Sequence, residues 1–146
     1  MTLRNRFQET RVLVTGGAGF IGSWLCEALV NQGAKVRILD NFQTGNLENL
    51  GNVLDSVELI KGDIQSFKTV SQTVADVSLI FHLAANASVP ASTENPQYDF
   101  TTNVLGTFNV LKASRQAATD PVLICASSAA VYGETKQPII SEQHPL

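Results

Sequence analysis

The chain has 146 residues, 44% hydrophobic and 16% charged, with a formal net charge of −3; this is the balance of one globular domain able to bury about two thirds of its unfolded surface. Its lysines and arginines are scattered, which argues against a nucleic-acid partner, and no apolar run nears the roughly 18 residues of a membrane span. Residues 1–10 carry basic side chains with no apolar stretch behind them, so no signal peptide is read and the expected location is the cytoplasm.

Val12 to Thr15 is read as a first strand, followed by a turn (Gly16, Gly17, Gly19) and a helix from Phe20 to about Asn31. Gly17, Gly19 and Gly22 match the G-x-G-x-x-G of a dinucleotide-binding turn. Such a bend needs a positive φ, and residues without Cβ let backbone N–H groups approach a diphosphate. The helix opening at Phe20 and Ile21 adds about half a positive charge there. A side chain at Gly22 would hold helix and strand apart. Ile21, Leu25, Ala28 and Leu29 are the expected apolar face of this helix, and Gly33 its stop.

The second strand, Val36 to Leu39, ends on Asp40, 18 residues beyond Gly22. A carboxylate at that tip accepts both hydroxyl hydrogens of an adenosine ribose and repels a 2′-phosphate. Asn41, Phe42, Gln43 and Thr44 bring no basic residue to hold such a phosphate, so the expected cofactor is NAD rather than NADP. Asn41 to Asp55 reads as loop with at most one short helical turn. Then come a third strand (Val57 to Lys61), a helix from Ser66 to Val74 with Ser66 as its cap, and a fourth strand (Leu79 to Leu83). Asn86 to Pro96, with its two prolines, is expected to be loop. A long helix follows from Tyr98 to Ala118, with Phe100, Val104, Phe108 and Leu111 at core spacing, and a fifth strand from Val122 to Ala126.

Strands separated by helices predict an α/β fold, a Rossmann-like doubly wound parallel sheet in order 3-2-1-4-5. The sequence reads as cut short after the fifth strand, whose Val122, Leu123 and Ile124 would leave an apolar edge. Cys26 and Cys125 read as small buried hydrophobes of a reducing compartment. His82 and His144 have no spaced partners, so no metal is expected, and His82 reads as a satisfied strand histidine with no catalytic role.

Six segments occur in order: Thr15-Gly-Gly-Ala-Gly-Phe-Ile-Gly22, Leu39-Asp-Asn41, Gly62-Asp63-Ile64, Phe81-His-Leu-Ala-Ala85, Asn103-Val-Leu-Gly-Thr107 and Ser127-Ser-Ala-Ala-Val-Tyr-Gly133. Together they resemble the extended short-chain dehydrogenase/reductase family, and within it the NAD-dependent sugar-nucleotide epimerases. The likeness runs over residues 11–146 but matches only the N-terminal part of a typical member. It implies that Asp63 holds the adenine amino group while Ile64 packs on the ring. Leu83, Ala84 and Ala85 would run beneath the cofactor, and Asn103 would steady the central helix. By the same resemblance Ser128 is the catalytic serine that binds the sugar hydroxyl, with Ser88 and Tyr132 near the sugar.

Relatives that eliminate water carry an Asp-Glu pair where this chain has Ala129 and Ala130, which favours epimerisation over dehydration. The resemblance then implies transient oxidation at carbon 4 of a nucleotide-linked hexose. A stand-alone NAD-binding module without chemistry, or a dehydratase or reductase of the same superfamily, are the alternatives. Tyr132-Gly-Glu-Thr-Lys136 spells the family's Y-x-x-x-K, but Gly133 and Pro138 oppose the helix that pair requires. The resemblance puts the true pair beyond Leu146, so Tyr132 is expected to line the sugar pocket or pack at the strand end. Residues 1–146 are thus read as one NAD-binding domain lacking its substrate part, binding NAD weakly and turning over negligibly alone. The partners implied are a nucleotide sugar and a second copy of the chain in a homodimer.

Overall fold

The computed structural model describes residues 6–134 and 139–145. Five strands form one parallel sheet: β1 (Arg11–Thr15), β2 (Lys35–Asp40), β3 (Val57–Lys61), β4 (Leu79–His82) and β5 (Val122–Cys125). Their order, β3-β2-β1-β4-β5, is the expected one, and each strand matches its predicted span to within a residue at either end. The direction of winding reverses between β1 and β4, where a crevice opens at the carboxyl ends of the strands.

Both sheet faces are covered, so the central strands are apolar on both sides. Val12 and Val14 of β1 pack with Val36 and Ile38 on one face, under α1 (Phe20–Asn31). Leu13 packs with Leu39 and Ile80 on the other, under α2 (Phe67–Val74), where Val70 and Val74 are fully buried. Ser66 caps α2 as expected, accepting from the Thr69 N–H. Gly33, at φ +84°, follows the end of α1.

The helix faces differ from the reading of the sequence. In α1 the buried residues are Gly22, Ser23, Cys26 and Leu29, whereas Ile21 and Ala28 are exposed. The cause is Gly22: it must lie innermost, against the glycine turn, and Cys26 and Leu29 follow it inward at the four- and seven-residue spacing of one helix face. A separate short helix, α3 (Val89–Glu94), precedes the long helix, which is three segments: α4 (Pro96–Asp99), a wide π turn (Phe100–Gly106) and α5 (Thr107–Gln116). Its expected core stripe points outward, with Phe100, Val104, Phe108 and Leu111 exposed by 59, 54, 56 and 50%. The face turned to the sheet is Thr102, Gly106, Asn109, Val110, Ala113 and Ser114. Asn109 fixes that orientation by donating to the carbonyls of Ile64 and Gln65 at 2.9 and 3.0 Å.

Two loops are also more ordered than expected. Asn86 to Pro96 contains α3, capped by Ser88 with Pro90 in its first turn, where proline is tolerated. Asn41 to Asp55 carries two short 3₁₀ turns, Leu47–Leu50 and Leu54–Ser56, and Leu50 and Val53 are buried in the α1-side core. Cys26 is buried as expected, and burial pushes its thiol up to about 12, while Cys125 is exposed because no described residue packs outside β5. Val122 and Ile124 on that edge are exposed too. Near the opposite end of the strands Arg37 pairs with Glu58 and Asp76, and Arg11 also reaches Asp76. No helix among the described residues is long and apolar enough to cross a membrane, and none of their His, Cys, Asp and Glu side chains cluster to hold a metal.

Candidate functional site

The turn after β1 is built by close backbone approach. Gly16 has φ +70°, and a Cβ on it would stand 2.8 Å from the amide nitrogen of Ala84. A Cβ on Gly22 would stand 2.2 Å from the carbonyl oxygen of Gly16. Only hydrogen fits in either place, so α1 begins directly against the strand end.

Gly19 is the N-cap of α1, and among the described residues no side chain bonds to the free N–H groups of the first turn, which include Phe20, Ile21 and Gly22. Three other helix starts differ, while the π turn and α5 simply continue α4 without a cap. Ser66, Ser88 and Asn95 cap α2, α3 and α4 with side-chain oxygens. No acidic residue lies in the first turn of α1 either. Donors and dipole are therefore left facing outward, the arrangement that receives an anion.

Beside the turn lies a cleft of about 460 Å³ at the carboxyl ends of the strands, within the roughly 300–1,000 Å³ of small-molecule sites. Of the residues singled out in the sequence, Gly16, Gly19, Asp40, Asn41, Ile64, Leu83, Ala84, Ala85 and Ser88 line it. Asp40 is buried, and its two oxygens accept from the N–H groups of Ala18 (2.9 Å) and Phe42 (2.8 Å). The carboxylate thus ties the glycine turn to the strand tip, and each oxygen retains a lone pair for a ligand hydroxyl. Asp63 accepts from the Asn41 side chain at 2.8 Å and from the Gln65 N–H at 2.8 Å. These two predicted site residues hold each other across the ends of β2 and β3.

Asn103, in the π turn, does not line the cleft but holds its wall. Its side chain accepts from the Asn86 N–H (2.8 Å) and donates to the Asn86 carbonyl (3.0 Å) and to Asp99 (3.0 Å). Asn86 donates to the same Asp99 oxygen at 2.9 Å. The loop carrying Ser88 is thereby fastened to the helix. Sequence reading missed the wall that α3 and α4 supply, namely Ala91, Glu94, Asn95 and Tyr98, as well as Gln43, Thr44 and Thr102. The signal was present in Ser88 with Pro90 and Asn95 with Pro96, two cap-and-proline starts.

Ser128 and Tyr132 do not line this cleft. Ser128 caps a short turn, Ala129–Tyr132, through its Oγ and the Ala130 N–H at 3.2 Å. The Tyr132 ring meets His144 edge-on, with centroids 5.9 Å apart. Gly133 follows at φ +63° and ψ −155°, outside any helix. Lys136 and Pro138, on which the Y-x-x-x-K reading also rests, lie outside the described residues, as do residues 1–5.

Known proteins share this architecture. The GDP-mannose 4,6-dehydratase family matches residues 13–146. The UDP-glucose 4-epimerase of Mycolicibacterium smegmatis is 39% identical over 140 residues, covering 93% of this chain and 44% of that protein. UDP-glucuronic acid decarboxylase 1 of Xenopus tropicalis is 36% identical over 136 residues, covering 92% of this chain and 31% of that protein. The crystal structure of UDP-glucose 4-epimerase from Thermus thermophilus in complex with NAD superposes with a TM-score of 0.81 at 38% identity, covering 92% of this chain and 43% of that one. The chain therefore spans less than half the length of these relatives.

Proposed function

The chain belongs to the GDP-mannose 4,6-dehydratase family, and on that footing we propose that it is the NAD-binding portion of a nucleotide-sugar 4-epimerase. One observation carries the reading: a helix start stripped of every side-chain cap, set within a cleft that also holds a buried acid at the tip of β2. When bound, NAD accepts and returns a hydride. This chain's residues do the binding. The N–H groups from Phe20 to Gly22 receive the diphosphate, Asp40 the adenosine ribose, and Ile64 the adenine, with Asp63 and Asn41 beside it. Leu83, Ala84 and Ala85 form the floor.

Ser128 is the residue we assign to the sugar. Its Oγ accepts from Ala130, so its own hydrogen is free to donate to the hydroxyl that is oxidised. Ala129 and Ala130 supply no carboxylate for eliminating water, which supports epimerisation over dehydration.

Calorimetric titration should find NAD binding tighter than NADP by about tenfold or more, because the 2′-phosphate removes one charge-assisted hydrogen bond to Asp40 and adds a repulsion. Asp40→Asn should narrow that preference. NADP binding equal to NAD in the unaltered chain would remove Asp40 from its role. We further propose that the outward stripe of Phe100, Val104, Phe108 and Leu111 is the face of a homodimer, since apolar faces of this extent mark contacts. Sedimentation should find a dimer that Phe108→Asp converts to monomer. An unaltered chain that sediments as a monomer at high concentration would refute it.

A further inference from the structure

His82 lies almost wholly buried at the end of β4, directly before the cleft floor. Its Nδ1 is 2.7 Å from Thr15 Oγ1, and its Nε2 is 2.9 Å from Thr107 Oγ1. Thr15 is the last residue of β1, immediately before the glycine turn, and Thr107 opens α5 just past the π turn. One imidazole therefore joins the three elements that meet at the cleft. The Thr15 hydroxyl also accepts from the N–H groups of Leu83 and Ala84, both at 3.2 Å, the Leu83 N–H being shared with the Thr15 carbonyl at 3.1 Å.

These hydrogen bonds have only one satisfied direction. The amides of Leu83 and Ala84 can only donate, so the lone pairs of Thr15 Oγ1 are engaged by them. The single hydroxyl hydrogen of Thr15 must then go to His82 Nδ1. The ring hydrogen is left on Nε2, where it is donated to Thr107. The opposite polarity would give Thr15 Oγ1 three donors and strand its own hydrogen in a buried place, which is costly.

We propose that Thr15, His82 and Thr107 form a hydrogen-bond relay of fixed polarity, making His82 a positioning residue that holds Leu83 and Ala84 in place as the floor of the dinucleotide cleft. The ring touches no ligand. It acts by keeping the Thr15 hydroxyl pointed away from the two floor amides, so that both can donate to it. The affinity part of this inference rests on the NAD reading above; the polarity does not.

Two measurements on the intact chain decide it. Long-range ¹H–¹⁵N spectra at pH 7, with His144→Gln removing the only other imidazole, should show His82 as the neutral Nε2–H tautomer. An Nδ1–H or doubly protonated ring would overturn the relay. Thr15→Val should then speed amide exchange at Ala84 by about tenfold or more, with Leu83 changing less because it keeps its bond to the Thr15 carbonyl, and should weaken NAD binding by a similar factor, as for a buried group left unpaired. Thr15→Ser, which restores the hydroxyl, should recover most of both losses. Unchanged exchange in Thr15→Val would dispose of the positioning role whatever NAD does. An unaltered chain that fails to bind NAD would count against the cofactor reading alone, with exchange and tautomer still deciding the relay.

Discussion

Gly22→Ala is expected to lower NAD affinity by about a hundredfold or more, equivalent to about 2.7 kcal/mol, and to lower stability by about 2 kcal/mol through overpacking. The reason is that the added carbon meets backbone. It would stand 2.2 Å from the Gly16 oxygen and 2.7 Å from the Gly17 Cα, so no rotamer relieves the clash. Helix α1 would have to back away from the turn by about 1 Å, the shortfall from an ordinary non-bonded separation. That withdraws the first-turn N–H groups from the diphosphate position and loosens Cys26 and Leu29 against the sheet. Alanine's better helix propensity, about 1 kcal/mol, opposes the loss and is outweighed. Gly51→Ala is the control: its Cβ would meet only the Glu48 carbonyl, at 3.4 Å and on an exposed turn. Urea unfolding and calorimetric titration of both variants check the pair, and equal behaviour would refute the role given to Gly22.

Acid should destabilise the chain through His82. Burial pushes this imidazole down to about 4 from 6.5, with no neighbouring charge contributing. In the unfolded chain the ring takes up its proton near 6.5, while in the folded chain it does so only near 4, so the unfolded state binds more protons between these values. Stability is complete above 6.5, declines as pH falls toward 4, and is level below that as far as this group is concerned. The expected loss between about pH 7 and about pH 4.5 is about 2.5 kcal/mol. Carboxylates act in a lower window: Asp76, held below its ordinary 3.8 by the hydrogen bond from Arg37, yields its contribution only as pH falls further. Denaturant titrations at several pH values should therefore resolve the His82 step, and His82→Gln should remove it. A step of the same size in that variant would assign it elsewhere.

Much of the architecture was legible because the central strands are uninterrupted runs such as Val12-Leu13-Val14, which only a sheet covered on both faces can bury. The glycine turn and Asp40 were legible because each residue type has a steric or electrostatic reason to be where it is. The facing of helices was not. A stripe such as Phe100, Val104, Phe108 and Leu111 announces a helix with one apolar side, but periodicity carries no information about which neighbour meets that side. In α5 and the π turn before it, the sheet-facing positions went to Gly106, Asn109 and Ala113, small or hydrogen-bonding residues that allow close approach. The α3–α4 wall was hidden for another reason: prolines at 90 and 96 were weighed as breakers when each sits in a helix's first turn. The second task of Asp40, and the mutual grip of Asn41 and Asp63, depend on loop paths that no pattern of residue types encodes.

That second task bears on how such a protein could change allegiance between the two nicotinamide dinucleotides. The carboxylate that we propose discriminates against phosphorylated ribose also anchors Ala18 and Phe42 at the rim of the cleft. A lone exchange of Asp40 for a small neutral residue would relax selectivity and slacken the bend in the same stroke. Evolution or an engineer would first have to install a substitute acceptor for those two amides, so the route to a new preference passes through at least two coordinated changes.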